Sequence, residues 1–301
     1  MNRAEVLAHP LSTSMDVRMT QVALLGVDVG FSKTRETTGI ACLQDDRLVL
    51  VRAGNLWESR KEKLPPGFTP TVLAIDGPLL PQGSDALTRR PCELTFVHKP
   101  FHNRCKPGLS HWGIGLKLRE AVMEACSRSQ FGSILAQSTT TQSAFVARTG
   151  PIVEAFPNAF LGVMTSDSDL LAAPRLPRGR RFDWLYDRVT VTGKLEAVLS
   201  PILGLPSCVW RKAETLTSKE HHEERAALIC LLTAALAARN RATVIGDETG
   251  GWFWLPPRES WEPWALQGLQ DVSRAMALKG VHVHIFDGVR ASPPQSGGRS
   301  R

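Results

Sequence analysis

Three acidic residues stand where a strand is normally apolar. "GVDVG" holds Asp28, "AIDGPL" holds Asp76 and "PIVEAFP" holds Glu154, each closing a short apolar run and followed within three residues by glycine or proline. A lone charge in a buried strand is costly unless something pairs with it. A fourth acid lies in "KEHHEERAALICLLTAALAARN", a long helix-forming stretch. There Glu223, Ala226, Ala227 and Cys230 fall at i, i+3, i+4 and i+7, the spacing of one helix face. The small side chains after Glu223 let that face lie close to a sheet and aim the glutamate at it. Glu224, about 100° away around the helix, belongs with Leu228 and Leu231. Convergence of Asp28, Asp76, Glu154 and Glu223 would make a catalytic cluster for hard, oxygen-preferring ions, Mg²⁺ or Mn²⁺. A pair of such ions activates water and stabilises the leaving oxygen in phosphodiester hydrolysis. Singly, each acid has a simpler use: capping a turn, pairing with an arginine, or sitting in a helix's first turn. Their repetition at strand ends favours the cluster.

The elements that must position these acids can be read from the pattern. "VALLGVDVG" and "TVLAIDGPL" are buried strands, and "GIACLQDDRLVLVRAG" is a β-hairpin turning at Gln44 to Arg47. Side chains alternate, so Asp28 shares a face with Leu24 and Gly26, and Asp76 with Val72 and Ala74. If the two strands are neighbours, the two anions meet at one edge of the sheet, and a divalent cation or a shared proton is implied. "LKLREAVMEACSRS" reads as a helix, "GPIVEAFPNAFLGVM" as a short strand running into a turn or helix, and "ATVIGD" as a further strand. Continuous apolar strands need cover on both faces, so the fold class is α/β, a mixed sheet layered between helices. Residues 1–20 read as a flexible segment, 21–289 as one domain with basic, proline-rich insertions near 81–111 and 166–191, and 290–301 as a disordered basic tail.

Composition narrows the function. The chain has 301 residues, 43% of them hydrophobic, enough for a sizeable core, and a net charge of +7 that suits a polyanionic partner, a nucleic acid or another phosphodiester. Its basic residues gather in "TRRPCELTFVHKPFHNRCK" and "RLPRGRRFDWLYDR", making Arg90, Arg104, Lys106, Arg178, Arg180 and Arg181 the candidate phosphate contacts. No run approaches the ~18 apolar residues of a membrane helix, and no signal-peptide pattern opens the chain. The six cysteines include no CxxC pair, which suits reduced thiols, so the expectation is a soluble, cytoplasmic protein with no membrane partner. Zinc held by His98, His102, Cys105 and His111 matches no regular spacing, and Pro100 interrupts it. Trp252 and Trp254 share a face if they lie in a strand, pointing into the core or at a stacking base.

Taken in order, "GVDVG", "AIDGPL", "RRPCE", "VEAFPNAF", "HEERAALICLLTA" and "VIGDETGGWFWLPP" resemble the family called domain of unknown function 429, regarded as a predicted nuclease with a ribonuclease H-like fold. The resemblance covers most of residues 21–257. It implies Asp28 on the first strand, Asp76 on the fourth, Glu154 on the fifth and Glu223 on the last helix, with Arg90, Cys92 and Glu93 in a loop by the site. There is one departure: many relatives carry two acids three residues apart on that helix, and this chain has Ala226 at the second place. Either one metal position is weakened or Glu224 compensates. Two other readings stand beside the metal-dependent nuclease. A non-catalytic binding protein would keep the fold with an eroded site. An actin-like ATPase or kinase is suggested by "DVGFSKT", but it would need a duplicated domain and a glycine-rich adenosine loop, and the sequence offers neither.

Overall fold

Strand β1 (Leu24–Asp28) pairs antiparallel with β2 (Thr38–Gln44), and a two-residue turn leads into β3 (Arg47–Ala53). Asp45 and Asp46 occupy that turn at φ of 48° and 59°, the left-handed pair that matches the twist of a tight hairpin. The computed structural model describes residues 22–79, 89–102, 104–105, 109, 111–127, 152–176 and 179–288; the expectations for residues 1–20 and 290–301, and for Lys106 and Arg178, lie outside them. After the hairpin come α1 (Trp57–Glu62), β4 (Val72–Asp76), α2 (Pro91–Val97), α3 (Gly113–Ser127) and β5 (Ile152–Ala155). A helical run follows, α4 (Pro157–Met164), α5 (Asp167–Ala172), α6 (Arg181–Val191), α7 (Lys194–Leu203), α8 (Ser207–Thr215) and α9 (His222–Ala238). The described chain closes with β6 (Thr243–Asp247), β7 (Gly251–Leu255), α10 (Pro263–Ala277) and β8 (His284–Asp287).

These strands form one eight-stranded mixed sheet in the order β3-β2-β1-β4-β5-β7-β6-β8. The inner strands β1, β4, β5 and β7 run parallel, while the hairpins at either side run antiparallel. The sheet is covered on both faces, as the unbroken apolar strands require. Leu24, Ala74 and Val153 join the core under α9, whereas Leu25, Val27, Leu73, Ile75 and Ile152 pack with Trp57 of α1 and Val122 of α3 on the other side.

Two expectations change. Residues 166–191 are largely helical and contribute to the main core: Phe182, Leu185, Tyr186 and Val189 of α6 are buried at i, i+3, i+4 and i+7. The arginines interleaved with them obscured that stripe in the sequence. The "RRPCE" motif, expected in a loop, opens α2 with Arg90 as its cap residue and Pro91 in the first turn.

Helix α9 lies against β1 and β2 at backbone distance. A Cβ on Gly26 would stand 2.2 Å from the Leu231 amide nitrogen and 2.4 Å from the Ala227 carbonyl oxygen, and one on Gly39 would stand 1.9 Å from the Glu223 carbonyl oxygen. The Ala226, Ala227 and Cys230 face makes this approach possible, as the sequence suggests. Gly26→Ala is therefore expected to lift α9 from the sheet and lower stability by about 3 kcal/mol, the upper end of ordinary overpacking. Urea unfolding checks it, and an unchanged midpoint would contradict the close packing.

Candidate active site

Asp28 and Asp76 are direct neighbours: they lie opposite each other in the parallel β1/β4 register, at the carboxyl ends of both strands, with backbones about 5 Å apart. Asp28 shares its face with Gly26 and, across the β1/β2 ladder, with Gly39, and both glycines face α9. The two carboxylates thus lie beneath the first turn of α9, where unsatisfied amides favour negative charge. Both are partly exposed. Among the described residues neither makes an ion pair or a side-chain hydrogen bond.

Burial pushes the Asp28 carboxyl up to about 7, with His222 and Arg60 pulling it down and Glu223 adding to the rise. Burial also drives Asp76 well above the usual carboxylate range, helped by the charges of Asp28 and Glu154. Burial and mutual repulsion thus favour a proton on the pair, against the pull of the His222 and Arg60 charges.

Arg60, Arg52 and the cluster of His222, Asp183 and Arg225 surround the pair and were not singled out in the sequence. Buried Arg60 of α1 donates to Thr38 Oγ1 at 3.0 Å, to the Gly54 carbonyl at 3.2 Å and to the Gly30 carbonyl, and its guanidinium lies 3.8 Å from the Trp57 ring centroid. It fixes the β1–β2 connection just beyond Asp28. Glu223 meets Arg52 of β3 at 3.0 Å, so it approaches the site already paired. His222, its neighbour, shares a 3.0 Å hydrogen bond between Nδ1 and Asp183 Oδ1 of α6. That bond, with the nearby acids, raises the imidazole pKa against the effect of burial. Asp183 also receives buried Arg225 at 3.3 Å, while Arg225 reaches Asp187 at 2.6 Å. In sequence the only signal was an Asp-x-x-x-Asp spacing on α6 and an Arg three residues after His222, and nothing local joins the two.

Glu154 does not converge with the aspartates. In the β4/β5 register it lies beside Ile75, while Ala155 lies beside Asp76, so its side chain projects from the face opposite α9. There it is buried and receives Arg90 through both terminal nitrogens at 2.7 Å, plus the Leu79 amide at 2.9 Å. Burial pushes its pKa up, and the Arg90 and Leu79 hydrogen bonds pull the other way. Arg90 also donates from Nε to Glu93 at 2.9 Å. Its guanidinium is fully engaged inside the protein, which corrects its expected role as a phosphate contact. The expected site therefore divides, with Asp28, Asp76 and Glu223 on the α9 face and Glu154 in an internal ion network on the other.

The remaining cations are dispersed. Arg104 pairs with Asp167 at 2.5 Å and stacks 4.4 Å from the Trp264 ring centroid. Arg180 is exposed at the start of α6 with Asp183 at 3.6 Å, and Arg181 lies 5.5 Å from the Trp184 ring centroid. Trp252 and Trp254 are both buried in β7. Among the described residues no three His, Cys, Asp or Glu side chains are grouped so as to hold a metal ion by themselves, and no helix is long and apolar enough to cross a membrane. Glu224 does not complete such a group; its Oε1 is 3.9 Å from His221 and its Oε2 3.9 Å from Arg52. Comparison with known protein families, with curated proteins and with solved structures finds no match to this chain.

Proposed function

We propose that this protein is a divalent-cation-dependent phosphodiesterase, a nuclease of ribonuclease H-like architecture, acting at the Asp28–Asp76 pair. The observation that carries the reading is that pair: two carboxylates in register on adjacent parallel strands, facing a helix N-terminus, with no ion pair or side-chain hydrogen bond among the described residues. Supporting the architecture are the antiparallel β1–β3 block, the parallel β4 and β5 that follow it, and acids on the first, fourth and fifth strands. The sequence resemblance implies that arrangement, although α9 is followed here by two strands, α10 and β8.

The donor set fits Mg²⁺ or Mn²⁺: hard oxygens on adjacent strands, with no direct ion pair among the described residues. Mg²⁺ is commonly held by one or two carboxylates, with water and substrate phosphate completing its shell, so a third protein ligand is not required. When bound, such an ion supplies Lewis-acid polarisation of the phosphoryl oxygen. The chain's own residues do the rest: Asp28 and Asp76 hold the site at the strand ends. Arg60 fixes the loop that follows Asp28, and the Asp183–His222 contact together with Arg52–Glu223 fixes the first turn of α9 above it.

A panel of labelled DNA and RNA substrates incubated with the purified protein in Mn²⁺ tests this. Cleavage that is lost in Asp28→Asn and Asp76→Asn is expected. Cleavage that persists in both variants, or none with the native protein, sinks it. The turning away of Glu154 into the Arg90 network, with Ala226 on α9, favours a second reading, a binding protein that no longer hydrolyses; nucleic-acid binding without cleavage is its signature.

A further inference from the structure

Seven of the eight tryptophans are buried or half-buried; Trp112, just ahead of α3, is 61% exposed. Its ring is not left loose. The Arg89 guanidinium lies 5.8 Å from its centroid and the His111 ring meets it edge-on at 5.5 Å. Arg89 is itself exposed, and among the described residues it has no carboxylate partner. A large aromatic face backed by a cation that has no carboxylate partner among the described residues is the chemistry that takes a nucleobase with its phosphate.

Two connections lead from this aromatic to the end of β4, which carries Asp76, along the face of the sheet opposite α9. Arg89 is the covalent neighbour of Arg90, whose guanidinium sits on Glu154, and Glu154 lies beside Ile75, the residue before Asp76. Helix α3, which Trp112 leads into, packs Leu118 and Val122 against Gly77, the residue after Asp76: a Cβ there would stand 3.6 Å and 2.5 Å from them.

We propose that Trp112 and Arg89 form a stacking platform for an unpaired base of a single-stranded nucleic acid whose phosphate is presented to Asp28 and Asp76. This inference rests on the phosphodiesterase reading for its second half, but the platform itself needs no cation. The partner is single-stranded because a base inside a duplex cannot offer its face to a side chain.

Fluorescence anisotropy of short labelled oligothymidylate and oligouridylate strands, and of a duplex, measured in EDTA at low salt, separates the two ideas. Trp112→Ala is expected to weaken single-strand binding about tenfold, with Trp112→Phe retaining most of it and duplex binding unaffected by either. Arg89→Ala is expected to weaken binding and to flatten its salt dependence. Because Trp112 and Arg89 are exposed, circular dichroism of both variants should match the native protein. Single-strand binding unchanged in Trp112→Ala, or absent from the native protein, overturns the platform. Trp112-dependent binding with no cleavage in Mn²⁺ leaves the platform standing and removes the hydrolase.

Discussion

Replacing Arg90 with alanine is expected to destabilise the protein by about 3–5 kcal/mol, the range for stripping one partner from a buried charge network. Arg90 is the cation between two buried carboxylates, Glu93 and Glu154, and it satisfies both oxygens of Glu154. Its removal takes the shared cation from two buried acids of different elements, α2 and β5. Arg90→Lys should rescue little, because an ammonium cannot reproduce the paired hydrogen bonds of a guanidinium. Arg90→Ala combined with Glu154→Gln should recover part of the loss, since the second change removes one stranded charge. Urea unfolding of the set measures this. If Arg90 instead serves phosphate, Arg90→Ala will keep native stability and lose only substrate affinity.

Asp28→Asn is expected to stabilise the protein near neutral pH while removing its activity. The folded carboxyl titrates at about 7 and the unfolded one near 3.8. Between those values the unfolded chain has released its proton and the folded chain still holds it, so stability falls as pH rises through this window and levels off above it. The full effect is at most about 4 kcal/mol, lessened by the partial exposure of the carboxyl. Asp76 acts in the same direction. The difference in unfolding free energy between native protein and Asp28→Asn, measured in EDTA at several pH values from 4 to 8, isolates the contribution. A difference that stays flat across that window would contradict a carboxyl pushed up by burial.

What could be read from the chain is what depends on near neighbours. The hairpin at Asp45 and Asp46, the Asp28 and Asp76 strand ends and the small-residue face of α9 follow from local periodicity and turn chemistry, and the structure has them in those places. Placing Asp28 beside Asp76 needed only that two strands with the same pattern become neighbours. Glu154 has the same local appearance, yet its face depends on how β5 registers against β4. A shift of one residue sends a side chain to the other side of a sheet. No local signal in "PIVEAFP" sets that register. The Asp183–His222 contact was hidden for a related reason: its halves are 39 residues apart, one of them in a segment whose arginines masked an amphipathic helix. Long-range pairing, not residue type, decided which acids belong together.

The proposed cation-binding centre is formed by Asp28 and Asp76 together. Its most direct test is the thermal unfolding of the native protein and of Asp28→Asn near neutral pH, with and without Mn²⁺ or Mg²⁺. Either ion is expected to raise the unfolding temperature of the native protein, by mass action on the folded state, and to leave Asp28→Asn unmoved. A native protein indifferent to both ions, or an equal rise in the variant, would contradict it.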